Sequence, residues 1–481
     1  MKKLLGLVMI AGLLLLIFVP AAAAAPPAQE CAGTPYTVQA DDWLSKLADK
    51  EYGNIYAWPA IADASGIKRA DADLIEVGQL LCIPGPDDAA AFMDSYSLEG
   101  QEIVLYHFGD LSGPYAGITA PLIGGFSDAV NWVNNNGGIR GATVRAVFAD
   151  TGGKVEEAVA TYNRFMESDP RPYVLMMYGS PETEALRERF VEDKVPSLTS
   201  GVSGAGLYPP GYAFGSVPIY ADQFGAFVDW LVANWSDVKP AQAGDDIKIA
   251  FITWDTAFGR GAGTPEAIAY AESKGVQIVT TEYIAIGAPD VTTQILAAEA
   301  AGANVIYTNS LAFGPAQILK DATALGLRDK ILISGVNWAM DLSNLALAGP
   351  EAAEGFYGLM PTRWWTEGGT GLAVIERQFQ ANGRSPAAHN VGYMLAFATV
   401  EAIRQWTEIA LDEAGGDLSK LDGELMARVI EENPLNPLGI FNLNYGPGKR
   451  ATSLLRVGKI SGGNFVPLTG YYSAPDLRPA Q

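Results

Sequence analysis

From residue 101 onward, short apolar runs alternate with longer stretches whose apolar positions recur every three or four residues. Glu102 to Phe108 has the make-up of a buried strand. Pro121 to Asn135 has helical spacing through Phe126, Ala129, Val130 and Val133, and Gly137-Gly138 stops it. The pattern predicts further strands over Val144 to Ala149, Tyr173 to Met177 and Pro196 to Thr199, with helices over Val155 to Glu167 and Thr183 to Glu192. The series then begins again. Strands are expected at Ile247 to Thr253, Gln277 to Tyr283, Val305 to Tyr307 and Ile331 to Ser334. Helices are expected at Glu266 to Lys274, Thr292 to Ala301 and Pro315 to Leu325. Such alternation predicts a mostly parallel sheet covered on both faces. Two sets in one chain predict two doubly wound α/β lobes with a cleft between them, and in open α/β sheets ligands sit beyond the carboxyl ends of the strands.

The first hundred residues follow another pattern. Lys2 and Lys3, an apolar run from Leu4 to Val19 and the small residues Ala21 to Ala25 read as an export signal over residues 1–24. The same run is long enough for an uncleaved membrane anchor, and the sequence leaves that alternative open. Ala28-Gln29-Glu30 before Cys31 argues against a lipid-modified cysteine. A small unit follows, with strand, helix, helix and strand expected at Tyr36 to Val38, Asp42 to Glu51, Ala57 to Ala64 and Leu80 to Ile83. Residues 85–100, rich in Pro, Asp, Ala and Ser, read as a linker.

Composition narrows the function classes. The 481 residues are 49% hydrophobic, enough for a large core in two or three structural units. With 54 Asp and Glu against 32 Lys and Arg, the net charge is -22. That balance argues against nucleic acid or an anionic membrane surface as partner, since both need clustered cations. The two cysteines, Cys31 and Cys82, lie in the small N-terminal unit and in an oxidising compartment would pair as a disulfide.

Within that unit, "YTV", "LSKLA", "YG" and "VGQLLCIP" stand in an order and spacing that resembles a LysM domain over residues 31–84. The resemblance implies binding to N-acetylglucosamine-containing glycan of a cell wall, with Asp41, Asp42 and Trp43 on the side where the first helix begins. A folded spacer without glycan binding is the competing reading.

In the larger part, "VLYHFGDLSGPYAG", "VNWVNNNGGIRG", "VLMMYGSPETEALRERFVEDKVPSLTSGVSG", "ITWDTAFGRGAG" and "ILKDATALGL" fall in the order of the periplasmic leucine/isoleucine/valine-binding proteins. This resemblance covers about residues 101 to 472. It implies a type I periplasmic binding protein with three hinge crossovers, closing on a small solute and delivering it to an ABC transporter permease. By similarity one lobe comprises 101–219 and 362–437, the other 220–361 and 438–475. It also implies a secreted, periplasmic or cell-wall-associated protein.

Carried over residue by residue, the family's carboxylate-holding positions fall on Ser180 of "YGSPET" and on Gly201 and Ser203 of "SGVSG", with Gly179 and Asn309 beside the site. Hydroxyls and free amides at helix starts suit a carboxylate. The positions where amino-acid binders carry acids hold Tyr220 and Gly335. An ammonium shut in without an anionic partner keeps a desolvation cost of several kcal/mol. The expected ligand is therefore small, apolar or aromatic, with a carboxylate or similar head and no α-amine; a branched-chain or other amino acid, with Asp222 or Asp255 substituting for the missing acid, is the alternative. Tyr115, Tyr178, Tyr220, Phe258, Trp338 and Trp364 fall on loops expected to wall it. Ser112 is expected to line the cleft, and Asp222, Asp255 and His389 are possible neighbours of the ligand. Turn, cap and packing roles compete at each of these positions.

Other chemistry is sparse. His107 reads as a packed strand residue, and neither histidine joins a metal-ligand or Ser-His-Asp spacing. "GRGAG" lacks the context of a nucleotide fingerprint, so the sequence implies no cofactor. Two rivals to transport remain: a wall-active glycan hydrolase, because glycan-binding modules accompany such enzymes, and the receptor of a sensor.

Overall fold

The computed structural model describes residues 31–67, 72, 74–311 and 313–479. The predicted leader, 1–24, lies outside them. The chain divides after Ala91 into two compact units.

In the first unit β1 (Thr34–Thr37) pairs antiparallel with β2 (Leu80–Ile83), and helices Leu44–Tyr52 and Trp58–Ala64 lie between them in sequence. Leu44, Leu47, Ala60, Ile61 and Leu81 are buried. Cys31 and Cys82 form a disulfide. Trp43, Ile55 and Tyr56 stay about half exposed. Where a linker was expected, Pro86–Tyr96 is a helix: a proline at its start and two acids, Asp87 and Asp88, in its first turn favour that end.

In the second unit β3 (Glu102–Gly109), β4 (Thr143–Asp150), β5 (Leu175–Met177), β6 (Ser197–Thr199) and β7 (Ala213–Gly215) form a parallel sheet in the order β4-β3-β5-β6-β7. β8 (Lys248–Trp254), β9 (Gln277–Ile284), β10 (Val305–Thr308), β11 (Leu332–Gly335) and β12 (Tyr357–Met360) repeat that order as β9-β8-β10-β11-β12, again parallel. β13 (Leu454–Ser461) joins β12 antiparallel, and β14 (Asn464–Pro467) and β15 (Tyr472–Ser473) both pair with β13. The chain passes between the sheets after β7, after β12 and before β13.

Each sheet has one point where consecutive connections leave in opposite directions: between β3 and β5 in the first, between β8 and β10 in the second. Loops beyond such a point diverge, and open α/β sheets bind ligands there.

Helix Ala116–Asn135 starts five residues before the predicted Pro121, which lies inside it. Pro121 has no amide to offer the carbonyl of Gly117. The Asn390 side chain donates to that carbonyl at 3.5 Å, from the start of helix Val391–Glu413, which packs along Ala116–Asn135. His107 lies against Phe126 and Phe148, and burial pushes its imidazole down to about 3, so it is neutral packing.

A candidate solute site at the strand ends

The stretch after β3 is organised by Asp110, which is almost wholly buried. Its carboxylate accepts the amides of Gly113 at 2.5 Å and Tyr115 at 2.7 Å. These charge-assisted bonds fold "DLSGPY" into a fixed loop and place Tyr115 at the head of helix Ala116–Asn135. After β5 come Tyr178, Gly179 and the start of helix Ser180–Asp193. Gly179 has φ 113, and a Cβ there would lie 1.9 Å from Oε2 of Glu182. Only glycine leaves room for that carboxyl to fold back over the helix start. Gly201, beyond β6, runs so close that its Cβ would fall 2.3 Å from the carbonyl carbon of Gly179.

The second sheet presents Trp254, Phe258, Asn309 and Trp338 beyond β8, β10 and β11. All four are buried. Asn309 donates to the Phe258 carbonyl at 2.5 Å, and Thr253 Oγ1 donates to the Asn309 carbonyl at 2.8 Å, tying the two loops together.

Side chains from the two sheets meet. Tyr115 and Trp254 have ring centroids 5.9 Å apart, and Tyr178 meets Trp338 edge to face at 5.8 Å. Tyr220, at the first crossing, packs on Phe258 at 5.1 Å. Its hydroxyl accepts the Val202 amide at 3.3 Å and lies between the side chains of Ser180 and Trp338. Neither Ser180 Oγ nor Trp338 Nε1 reaches hydrogen-bond geometry.

Among the described residues, Ser180 Oγ, Glu182 Oε2, Trp254 Nε1, Asn309 Oδ1 and Trp338 Nε1, all on these rings or the loops that carry them, are buried without a hydrogen-bond partner. Buried polar groups are normally paired, which sets these atoms apart from the rest of the core. Burial pushes Glu182 up to about 7, with Asp110 adding to the effect. It pushes Tyr115 and Tyr220 up to about 12, which keeps these phenols neutral donors. The arrangement offers aromatic walls and a small polar end made of a hydroxyl, indole donors and one carboxyl.

Of the residues singled out from sequence, Tyr115, Tyr178, Gly179, Ser180, Gly201, Tyr220, Phe258, Asn309 and Trp338 come together here. Gly335 closes β11 beneath them, with its Cβ position 2.8 Å from the Thr308 carbonyl oxygen. The others are elsewhere. Ser112 is exposed, with its hydroxyl on Asp150. Ser203 caps helix Gly204–Leu207 and donates to Glu184 at 2.6 Å. Asp222 is buried under the Leu477 amide at 2.7 Å. Asp255 is exposed and paired with Arg260. Trp364 packs on Phe465 at 5.2 Å. His389 bonds Glu376 at 2.8 Å and lies on Trp365. Each of these has a local partner for its side chain. Glu182, Trp254, Asp110 and Thr256, which lies against the Tyr115 hydroxyl, were not anticipated. The closing Trp of "ITW" at a strand's carboxyl end was the available signal for Trp254.

Among the described residues no cluster of His, Cys, Asp and Glu could hold a metal ion, and no helix is long and apolar enough to cross a membrane.

Comparison with known proteins adds the family. The leucine-, isoleucine-, valine-, threonine- and alanine-binding protein of Pseudomonas aeruginosa is 23% identical, over 73% of this chain and 89% of its own. A Thermus thermophilus branched-chain amino acid ABC transporter structure with bound valine superposes with a TM-score of 0.69 at 22% identity, covering 78% of this chain and 98% of that one. A Rhodopseudomonas palustris ABC transporter solute-binding protein in complex with 3,4-dihydroxybenzoic acid gives 0.63 at 14% identity, covering 78% and 98%. The profile of one family, described as periplasmic binding protein, matches residues 107–462, most of the chain. With both sheets in place and their strand ends facing one another, this chain belongs to the periplasmic binding protein family.

Proposed function

We propose that the chain is an extracytoplasmic solute-binding protein of an ABC transporter that closes its two lobes on a small apolar or aromatic carboxylate lacking an α-amine. One observation carries the reading: two sets of aromatic side chains meet near Ser180 Oγ, Trp338 Nε1 and Glu182 Oε2, three buried polar atoms without a hydrogen-bond partner. By the resemblance Tyr220 and Gly335 stand where amino-acid binders carry acids, which favours a head group without an ammonium; an amine held on Glu182, the unpaired carboxyl of this site, is the second reading. The relative that binds 3,4-dihydroxybenzoic acid provides a precedent for an aromatic acid on this fold. Contacts from both lobes exist only in the closed state, so the ligand shifts a hinge equilibrium toward closure. Native mass spectrometry of the purified protein tests this reading. A co-purified carboxylic acid of low mass supports it; a co-purified leucine, isoleucine or valine overturns the choice of ligand.

The N-terminal unit, residues 31–84, is in this reading a LysM domain that holds the binding protein to cell-wall glycan. Its strand, helix, helix, strand order and its exposed Trp43 and Tyr56 support that. Sedimentation with insoluble peptidoglycan tests it: retention without release of soluble fragments is expected, whereas released fragments favour the hydrolase reading.

A further inference from the structure

Glu182 is the one acid among the unpartnered groups at the strand ends. It sits on the first turn of helix Ser180–Asp193, is 3% exposed, and turns Oε2 toward the bare face of Gly179. That oxygen has no hydrogen-bond partner, and Ser180 Oγ, two residues before it on the same turn, has none either. The ionisable groups around it are Asp110 and Tyr115 from the loop after β3 and Tyr178 from the end of β5. Helix Ala257–Arg260 packs on helix Ser180–Asp193 and brings Arg260, which is exposed and held by Asp255. Among the described residues, then, the acid faces one other carboxyl group, neutral phenols and its own backbone amide, with no cation acting on it to balance a second negative charge.

Building on the carboxylate reading above, we propose that Glu182 selects the ligand's head group by binding it as the neutral acid, donating its proton in a hydrogen bond to the ligand carboxylate. Two carboxylates cannot both stay ionised at contact distance in a buried site, so at a pH where Glu182 is ionised in the free protein each carboxylate ligand enters with one proton taken from solvent onto Glu182. The hydroxyl of Ser180 and the indole N–H of Trp338 donate to the remaining lone pairs. The burial that raises this acid to about 7 makes the proton available near neutral pH. An acid of unperturbed strength would not retain it.

Calorimetric titration of the full chain with benzoate and with 4-methylpentanoate, at several pH values and in buffers of different ionisation enthalpy, tests the proposal. The expected result is uptake of about one proton per ligand above neutral pH and a Kd that rises about tenfold per pH unit there. Glu182→Gln, which keeps a donor, should bind the same acids with no proton uptake and a flat pH profile. Binding without proton uptake, or affinity that strengthens as pH rises and vanishes in E182Q, overturns the proposal while leaving a solute site in place. Failure of both acids to bind at any pH overturns the carboxylate reading and this proposal together.

Discussion

Tyr115 reaches from the loop after β3 to Trp254 at the end of β8, with ring centroids 5.9 Å apart and its hydroxyl against Thr256. One side chain thus bridges the two lobes, and the loop that aims it is held by Asp110. An aromatic pair of this kind contributes about 0.5 to 1.5 kcal/mol beyond its buried area. Tyr115→Ala should therefore loosen closure and weaken solute binding by about tenfold, with a larger radius of gyration in small-angle scattering. An unchanged radius and affinity would show that the pair does not couple the lobes.

Asp110 offers a separate handle on the same loop. Asp110→Ala leaves the amides of Gly113 and Tyr115 without their acceptor, and each charge-assisted bond is worth about 1.5 to 3 kcal/mol. Urea denaturation should show a loss of at least about 2 kcal/mol, and the loss of affinity should match that of Tyr115→Ala.

Asp341 links the lobes a second time. Oδ1 accepts the Ser343 amide at 2.9 Å, and Oδ2 accepts the Val391 amide at 2.8 Å, at the start of helix Val391–Glu413. Helix-start acceptors are worth about 0.5 to 2 kcal/mol. Asp341→Ala should lower stability by about that much, and Asp341→Asn, which keeps one acceptor oxygen but turns an NH2 on the other amide, should recover only part of the loss; full recovery in Asp341→Asn would show that one of the two bonds contributes nothing.

Asp222 predicts a pH dependence of stability. Burial pushes its carboxyl up to about 8 in the folded chain, while in the unfolded chain it returns to the ordinary range near 4. Between those values the folded state holds the extra proton, so the stabilisation is complete below about pH 4 and is lost as pH rises through 8. Thermal melts should show a falling Tm from pH 5 to 8, and Asp222→Asn should flatten that slope.

Fold and site were legible to different degrees. Alternating runs located every parallel strand from β3 to β11 except β7, because strand spacing and burial are local properties of the sequence. Helix starts were misplaced where a distant group satisfies the backbone. The Pro121 helix begins early because Asn390, far along the chain, takes the carbonyl that proline leaves open. Nothing in "PETEALRER" marks Glu182 as buried, since an acid in a charged helix is ordinarily solvated. It is folded back on Gly179, near Asp110 and Tyr115 of another loop, and no local pattern reports that. Ser112 looked like a cleft residue by its place in "LSGP", but Asp150, the last residue of the neighbouring strand, captures its hydroxyl.

The central claim is that two lobes close on an acid without an α-amine, gripping its head beside Ser180 and Trp338. Isothermal titration calorimetry of the purified chain against aromatic acids, aliphatic acids and the branched-chain amino acids tests it most directly. The account predicts one-to-one binding of an aromatic or aliphatic acid, weakened at least tenfold in Trp338→Ala, with leucine and valine far weaker. Submicromolar binding of leucine or valine, with none of the acids bound, would contradict it.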